Sequence, residues 1–383
     1  MRILPGRWLV LCLLVAAGWQ GPALHSAEPR LATVLQPFVE NHTLAGAVGA
    51  AATKDQVLAL EAVGYADIAG QKPMKTDSLF WIASMSKPIT ATAVMMLVDE
   101  GRLSIDDPVE KFLPEFKGQF YIAEQDDNHA LLKKPAHPIT VKNVLSHTSG
   151  MRFSSSLERP TLDRLPLRDA VGSHALLPLQ WEPDTRYQYS NAGINTGARI
   201  IEVVANMPYE EFMQKRLFDP LNMKDTTFWP TDAQVQRLAK AYKPNADKMG
   251  LEETKIGQLT YPLTDRNRQP MPAGGLFSTT SDVVRFCQMI MNGGALDGKR
   301  YLSEAAIKTM TSRQTGETIK ENYGLGWSTG GGTFGHGGAL STNMTIDQDR
   351  GLITVWMVQH AGFPGEGGKS QGEFQKAARD LVK

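Results

Sequence analysis

Ser84-Met85-Ser86-Lys87 sets a hydroxyl and an amine three residues apart, and on a helix that spacing puts both side chains on one face, about one turn apart. A serine hydroxyl is a poor nucleophile until a neighbour takes its proton, and a lysine does so when desolvation or nearby cations depress its pKa. A helix N-terminus at the serine adds a dipole that favours developing negative charge. Alone the pair says little. With 19 serines and 21 lysines in 383 residues, chance supplies about one S-x-x-K, and a serine capping an exposed helix start is the plain alternative.

Two further groupings could complete the chemistry. In Tyr189-Ser190-Asn191 a phenolate near an ammonium could act as general base, while the Asn side chain both donates and accepts toward an amide or ester; a buried Tyr followed by a helix-capping Asn191 is the alternative. In His336-Gly337-Gly338-Ala339 the glycines would let a substrate lie against an edge strand, and the Ala339 amide could pair with that of Ser84 to bind an oxyanion. A glycine-rich turn between strands is the alternative there.

The elements that must position these groups follow from periodicity. Leu31 to Val39 has helical apolar spacing, and Ala45–Ala52 with Val57–Tyr65 reads as a hairpin. From Pro88, Ile89, Ala93, Met96 and Leu97 recur at helical spacing to Gly101, so a helix is predicted to begin around Ser84. The middle, roughly Ala91 to Arg268, reads as helices and loops with few strand signals; Val141–Leu145, Gly193–Val204 and Tyr209–Leu217 are its clearest periodic segments. Strands are predicted again at Gly324–Ser328, Ala339–Asp347 and Leu352–Gln359, with a closing helix over Gly372–Val382 and a turn at Gly330-Gly331-Gly332. The prediction is therefore an α/β (α+β) fold. An antiparallel sheet flanked by helices is built from both chain ends (28–90 plus 269–383), a mostly α-helical domain (91–268) is inserted, and the active site lies in the cleft between them.

In this order the three groupings resemble the serine β-lactamase and penicillin-binding-protein superfamily, whose signature is S-x-x-K, a polar triplet and then K-T-G. The nearest pattern is the class C β-lactamase-like branch with its Tyr-x-Asn triplet, which includes D-aminopeptidases, DD-peptidases and family VIII carboxylesterases. The likeness extends through Phe80-Trp81-Ile82-Ala83, Asp106-Asp107-Pro108-Val109, Leu145-Ser146-His147-Thr148-Ser149-Gly150, Pro220-Leu221-Asn222-Met223, Pro272-Ala273-Gly274-Gly275-Leu276 and Tyr323-Gly324-Leu325-Gly326-Trp327.

The resemblance implies a β-lactamase/transpeptidase-like fold and acyl transfer through a covalent intermediate. Ser84 would be the nucleophile, with Lys87 and Tyr189 managing its proton. Asn191, His336, Gly337, Gly338 and Ala339 would contact the substrate, with no cofactor. His336 stands where the family has Lys and Gly337 where it has Thr, which removes a permanent cation used to hold carboxylates. That shifts the expected substrate toward a carboxylic ester or amide. D-amino-acid peptides and β-lactams stay open, as does a penicillin-binding sensor module that is acylated without turnover. A protonated His336 could still greet a carboxylate.

Composition excludes other classes. Lys plus Arg equals Asp plus Glu at 40 each, so no global field favours nucleic acid. Arg2 and Arg7, the apolar run Trp8–Trp19 and small residues to Ala27 form a signal-peptide layout over residues 1–27, implying export to the periplasm or medium, and no second run could span a bilayer. Cys12 lies inside that segment, leaving Cys287 as the only thiol of the mature chain, so no intramolecular disulfide is expected. Its apolar-periodic surroundings predict a buried structural cysteine. Two decoys remain. Gly326-Trp327-Ser328-Thr329-Gly330 matches G-x-S-x-G, but a strand rather than a helix follows it. His147 reads as a structural hydrogen-bonding residue away from the three groupings. No closely spaced metal-ligand cluster occurs.

Overall fold

The computed structural model describes residues 30–382; the signal-peptide assignment lies outside them. A seven-stranded sheet is formed by β1 (Gly46–Ala52), β2 (Val57–Asp67), β3 (Lys72–Pro73), β4 (Ser328–Gly330), β5 (Thr333–Gly337), β6 (Asn343–Asp347) and β7 (Leu352–Met357), in the spatial order β4-β5-β6-β7-β1-β2-β3. Every neighbouring pair is antiparallel. The two chain ends meet at its centre, where Val48 faces Met357 and Ala50 faces Val355.

β1 is small, apolar and buried throughout because both faces of the sheet are covered. Ala47 and Ala51 pack with Leu31, Leu35, Trp356 and Phe374, whereas Val48, Ala50 and Ala52 join a cluster with Ile353, Val355, Val283 and Phe286. Alternate residues thus serve opposite layers. One layer is α1 (Arg30–Glu40) with the C-terminal α10 (Ser370–Asp380); the other includes α8 (Thr280–Met291), which buries Cys287. Helix α2 (Ser86–Asp99) is buried on every side from Ser86 to Leu97, so it forms the centre of the larger core rather than an amphipathic surface helix.

Between β3 and β4 come α3 (Val141–Leu145), α4 (Leu167–Ala175), α5 (Asn191–Ala205), α6 (Tyr209–Met213) and α7 (Asp232–Val235) ahead of α8, and α9 (Glu304–Thr311) after it. This region is not free of strands: hairpins pair 121–125 with 130–133 and 241–244 with 251–254. Both are short and mostly exposed or half-buried, so their sequences lack the apolar runs that signal sheet strands.

Two strand boundaries also move. Gly324–Trp327 is loop, and β4 starts only at Ser328; residues 338–342 form a tight turn closed by Gly338 N–H to the Thr342 carbonyl (2.7 Å), so β6 starts at Asn343 rather than Ala339. Both alternatives for His336-Gly337-Gly338-Ala339 hold in part: His336 and Gly337 end β5 and pair with Met344 and Asn343, whereas Gly338 and Ala339 enter the turn. β5 is second from the edge, not the edge itself, although the short β4 pairs with it only as far as Gly335. Among the described residues no helix is long and apolar enough to cross a membrane, and no cluster of His, Cys, Asp and Glu could hold a metal.

Candidate active site

Ser84 sits where the short strand Phe80–Trp81 turns into α2 through one 3₁₀ turn, Ala83–Met85. Ala83 takes a left-handed backbone (φ +46°), uncommon for a residue with a Cβ and kept only where neighbours enforce it. The enforcement is visible: Ile82 N–H bonds the Leu276 carbonyl (3.0 Å), Trp81 Nε1 the Gly274 carbonyl (2.7 Å), and Ser86 Oγ the Ala83 carbonyl (2.7 Å). Ser84 is thereby left half-exposed while its neighbours Ala83 and Met85 are buried.

Lys87, one turn into the helix, is fully buried, with Nζ 3.0 Å from Ser84 Oγ, 2.8 Å from Asn191 Oδ1 and 2.8 Å from the Ala273 carbonyl oxygen. Burial pushes its pKa well below the ordinary lysine range. As a neutral amine, Lys87 has two N–H bonds, and two of its three partners can only accept. In that form the N–H groups go to Asn191 and Ala273 and the lone pair is left for the Ser84 hydroxyl proton, whereas an ammonium donates to all three.

Asn191 is not the helix cap. Ser190 caps α5, its Oγ accepting from Gly193 N–H (3.1 Å), and this frees Asn191, the first helical residue, to reach Lys87. Tyr189 lies just before, its ring centroid 4.6 Å from Lys87 Nζ and its hydroxyl bonded to Ser84. Burial pushes the phenol up to about 12, so Tyr189 is protonated at neutral pH instead of standing as a phenolate.

At the end of β5, a Cβ on Gly338 would lie 2.5 Å from the Ile82 carbonyl oxygen and 2.1 Å from Thr342 Oγ1. Only glycine lets this turn approach the residues just before Ser84, and it brings Gly337 and the exposed Ala339 to the same place. His336 points inward. Its Nδ1–H donates to the Gly337 carbonyl (2.7 Å), so Nε2 accepts from the buried Tyr323 hydroxyl (3.0 Å). Burial pushes its pKa down to about 3, so at neutral pH this side chain is an uncharged wall held by Tyr323 rather than a cation.

His147 is not remote, as its motif suggested. Its Nδ1 accepts from Ser190 N–H (3.2 Å), and its ring packs 4.7 Å from both Tyr189 and Tyr323. Sequence reasoning also missed Tyr323, the Ala273 carbonyl, Asn195 and Phe153, whose ring is 43% exposed and stacks on Tyr189. Tyr323 and Ala273 fell inside motifs that were noted without a role; Asn195 and Phe153 carried no signal. Ser328 is exposed on the edge strand β4, joined to Tyr323 by a single bridge.

This constellation agrees with the family match: the model described as Beta-lactamase covers residues 31–374. The chain belongs to the Beta-lactamase family. Among Beta-lactamase family relatives, Protein Rv1367c of Mycobacterium tuberculosis is 31% identical over 83% of this chain and 86% of its own. Esterase EstB of Burkholderia gladioli is 27% identical over 93% and 95%. The structure of EstCE1, a hydrolase with promiscuous acyltransferase activity, superposes with a TM-score of 0.75 at 24% identity over 92% of this chain and 97% of that one, which shows the shared fold. The expected β-lactamase/transpeptidase-like architecture is therefore the one adopted.

Proposed function

We propose that this Beta-lactamase family member is a serine hydrolase that cleaves carboxylic esters or amides through an acyl-enzyme on Ser84. Lys87 Nζ, 3.0 Å from Ser84 Oγ and anchored at 2.8 Å by both Asn191 Oδ1 and the Ala273 carbonyl, with a pKa that burial depresses, carries the reading. Ser84 Oγ attacks the carbonyl carbon as its proton passes to Lys87 Nζ. The carbonyl π electrons move to oxygen, held by the amides of Ser84 and Ala339. Collapse breaks the bond to the leaving group, which takes a proton from Tyr189 O–H, replenished from Lys87. Water then attacks the acyl carbon and gives a proton to the same pair; collapse breaks the bond to Ser84 Oγ, which takes that proton back, and the acid leaves.

The substrate enters the cleft between the sheet region (28–90 with 269–383) and the helical region (91–268). Asn191 orients its amide or ester, His336, Gly337 and Gly338 line one wall, and Phe153 offers an apolar rim. The uncharged His336 supports an ester over a carboxylate-bearing peptide or β-lactam, in keeping with EstB among the relatives. The residue 1–27 layout supports export.

The test is labelling with a fluorophosphonate, followed by turnover of p-nitrophenyl esters, nitrocefin and D-Ala-D-Ala peptides. Ser84→Ala is expected to abolish labelling and Ser328→Ala to leave it intact; the reverse pattern overturns the assignment. A stoichiometric burst with no steady state on every substrate would mark a sensor instead.

A further inference from the structure

Asn195 lies four residues after Asn191, so the two occupy one face of α5 a turn apart. Asparagine is a poor residue for a helix interior, and this one is 4% exposed, so neither propensity nor solvation explains it. Its Oδ1 instead accepts the Ala273 N–H at 3.1 Å, across 78 residues of sequence. The carbonyl of that residue is one of the two obligate acceptors of Lys87.

The flanking peptides of this strap are gripped from the other side. Thr90 Oγ1, on α2, donates to the Pro272 carbonyl (2.8 Å) and accepts from the Tyr209 hydroxyl (2.7 Å); Trp81 Nε1 donates to the Gly274 carbonyl. Asn195 is what holds the Ala273 amide from α5. Asn191 therefore fixes one Lys87 N–H directly, and Asn195 fixes the other through a single residue.

Resting on the hydrolase reading above, we infer that Asn195 is a positioning residue: by gripping the Ala273 amide it sets where the lone pair of Lys87 points and how strongly Lys87 holds its proton. The ionisable and polar groups that face Lys87 are Ser84 on its own turn, Tyr189 ahead of α5, His147 after α3 and His336 on β5. Tyr209 of α6 stands behind Thr90, and α9 presents only Met310 toward Thr92. Both histidines are neutral, so the two amide-bonded acceptors are what remains to tune the amine.

The sign follows from which form needs the acceptor more. An ammonium has three N–H bonds to satisfy and an amine two, so weakening the Ala273 carbonyl disfavours the ammonium. Conversely, a carboxylate at residue 195 favours it.

The experiment is the rate of Ser84 labelling by a fluorophosphonate as a function of pH, with melting temperature recorded for each variant. Asn195→Leu is expected to lower the plateau about tenfold and move the acid limb to lower pH. Asn195→Asp, which keeps volume and acceptor, is expected to move that limb upward by about one pH unit or more. Opposed shifts are a result that a merely structural asparagine does not give. Acid limbs coinciding with wild type in the folded variants overturn the inference; if Asn195→Leu does not fold, Asn195→Asp and the shorter Asn195→Ser decide by the same criterion. Labelling that persists in Ser84→Ala sinks the hydrolase reading, whereas Ser84-dependent labelling with unmoved limbs sinks only the role of Asn195.

Discussion

Asn191 Oδ1 lies 2.8 Å from Lys87 Nζ, although 104 residues separate the two in the chain. The contact joins the start of α5 to the buried helix α2. In the proposed mechanism it would direct Lys87 as the base for Ser84, because it takes up one of the two N–H bonds that a neutral amine possesses.

Lys87→Met is expected to cut kcat/KM by about 10²- to 10⁴-fold, the usual contribution of a positioned acid or base. The same change is expected to raise the melting temperature. Wild-type Lys87 has its pKa depressed in the folded state, so unfolding takes up a proton at any pH between that folded value and the ordinary lysine range. Stability conferred on the folded state therefore rises with pH across that window and is least at its acid end. Methionine removes the dependence, so the gain should be largest at the lowest pH at which both proteins fold. Calorimetry over pH checks it, and a melting curve that falls in parallel at every pH contradicts it.

His336→Gln probes the uncharged wall. With a folded pKa of about 3 against an ordinary 6.5, His336 binds a proton on unfolding throughout that interval, so it destabilises the fold progressively as pH drops from 6.5 to 3. Each unit of displacement corresponds to about 1.4 kcal/mol. Glutamine can still accept from Tyr323 without titrating, so the variant should lose less stability than wild type on acidification, read as a shallower slope of melting temperature against pH. Equal slopes would show that His336 does not titrate with unfolding.

Gly338→Ala is expected to cost about 1–3 kcal/mol, because its Cβ would meet the Ile82 carbonyl at 2.5 Å, and backbone cannot rotate away. As that carbonyl precedes Ala83 and Ser84, kcat should fall further than the stability loss alone explains. Denaturant unfolding gives the first quantity and ester turnover the second; full activity with a lowered midpoint would separate the turn from the catalytic geometry.

The sequence alone determined which side chains could react and how the chain is layered. Ser84, Lys87, Tyr189 and Asn191 are readable because each lies in a short local motif, one helical turn or one triplet, and the order of those motifs carries the family resemblance that implies their roles. The antiparallel sheet from both chain ends was equally legible, since β1 and β7 are apolar runs bounded by turn residues.

Tertiary structure decided the protonation states and the supporting shell. Tyr189 is a phenol and His336 an uncharged imidazole because burial disfavours their charged forms, and burial is a property of the packed molecule, not of a residue type. Asn195 on α5, the Ala273 carbonyl ahead of α8, Tyr323 ahead of β4 and His147 after α3 are brought together only by tertiary packing, through contacts that reach across as many as 186 residues. Sequence could pair Ser84 with Lys87, but the acceptor that meets Lys87 Nζ from a distant loop, the Ala273 carbonyl, exists only in the packed molecule.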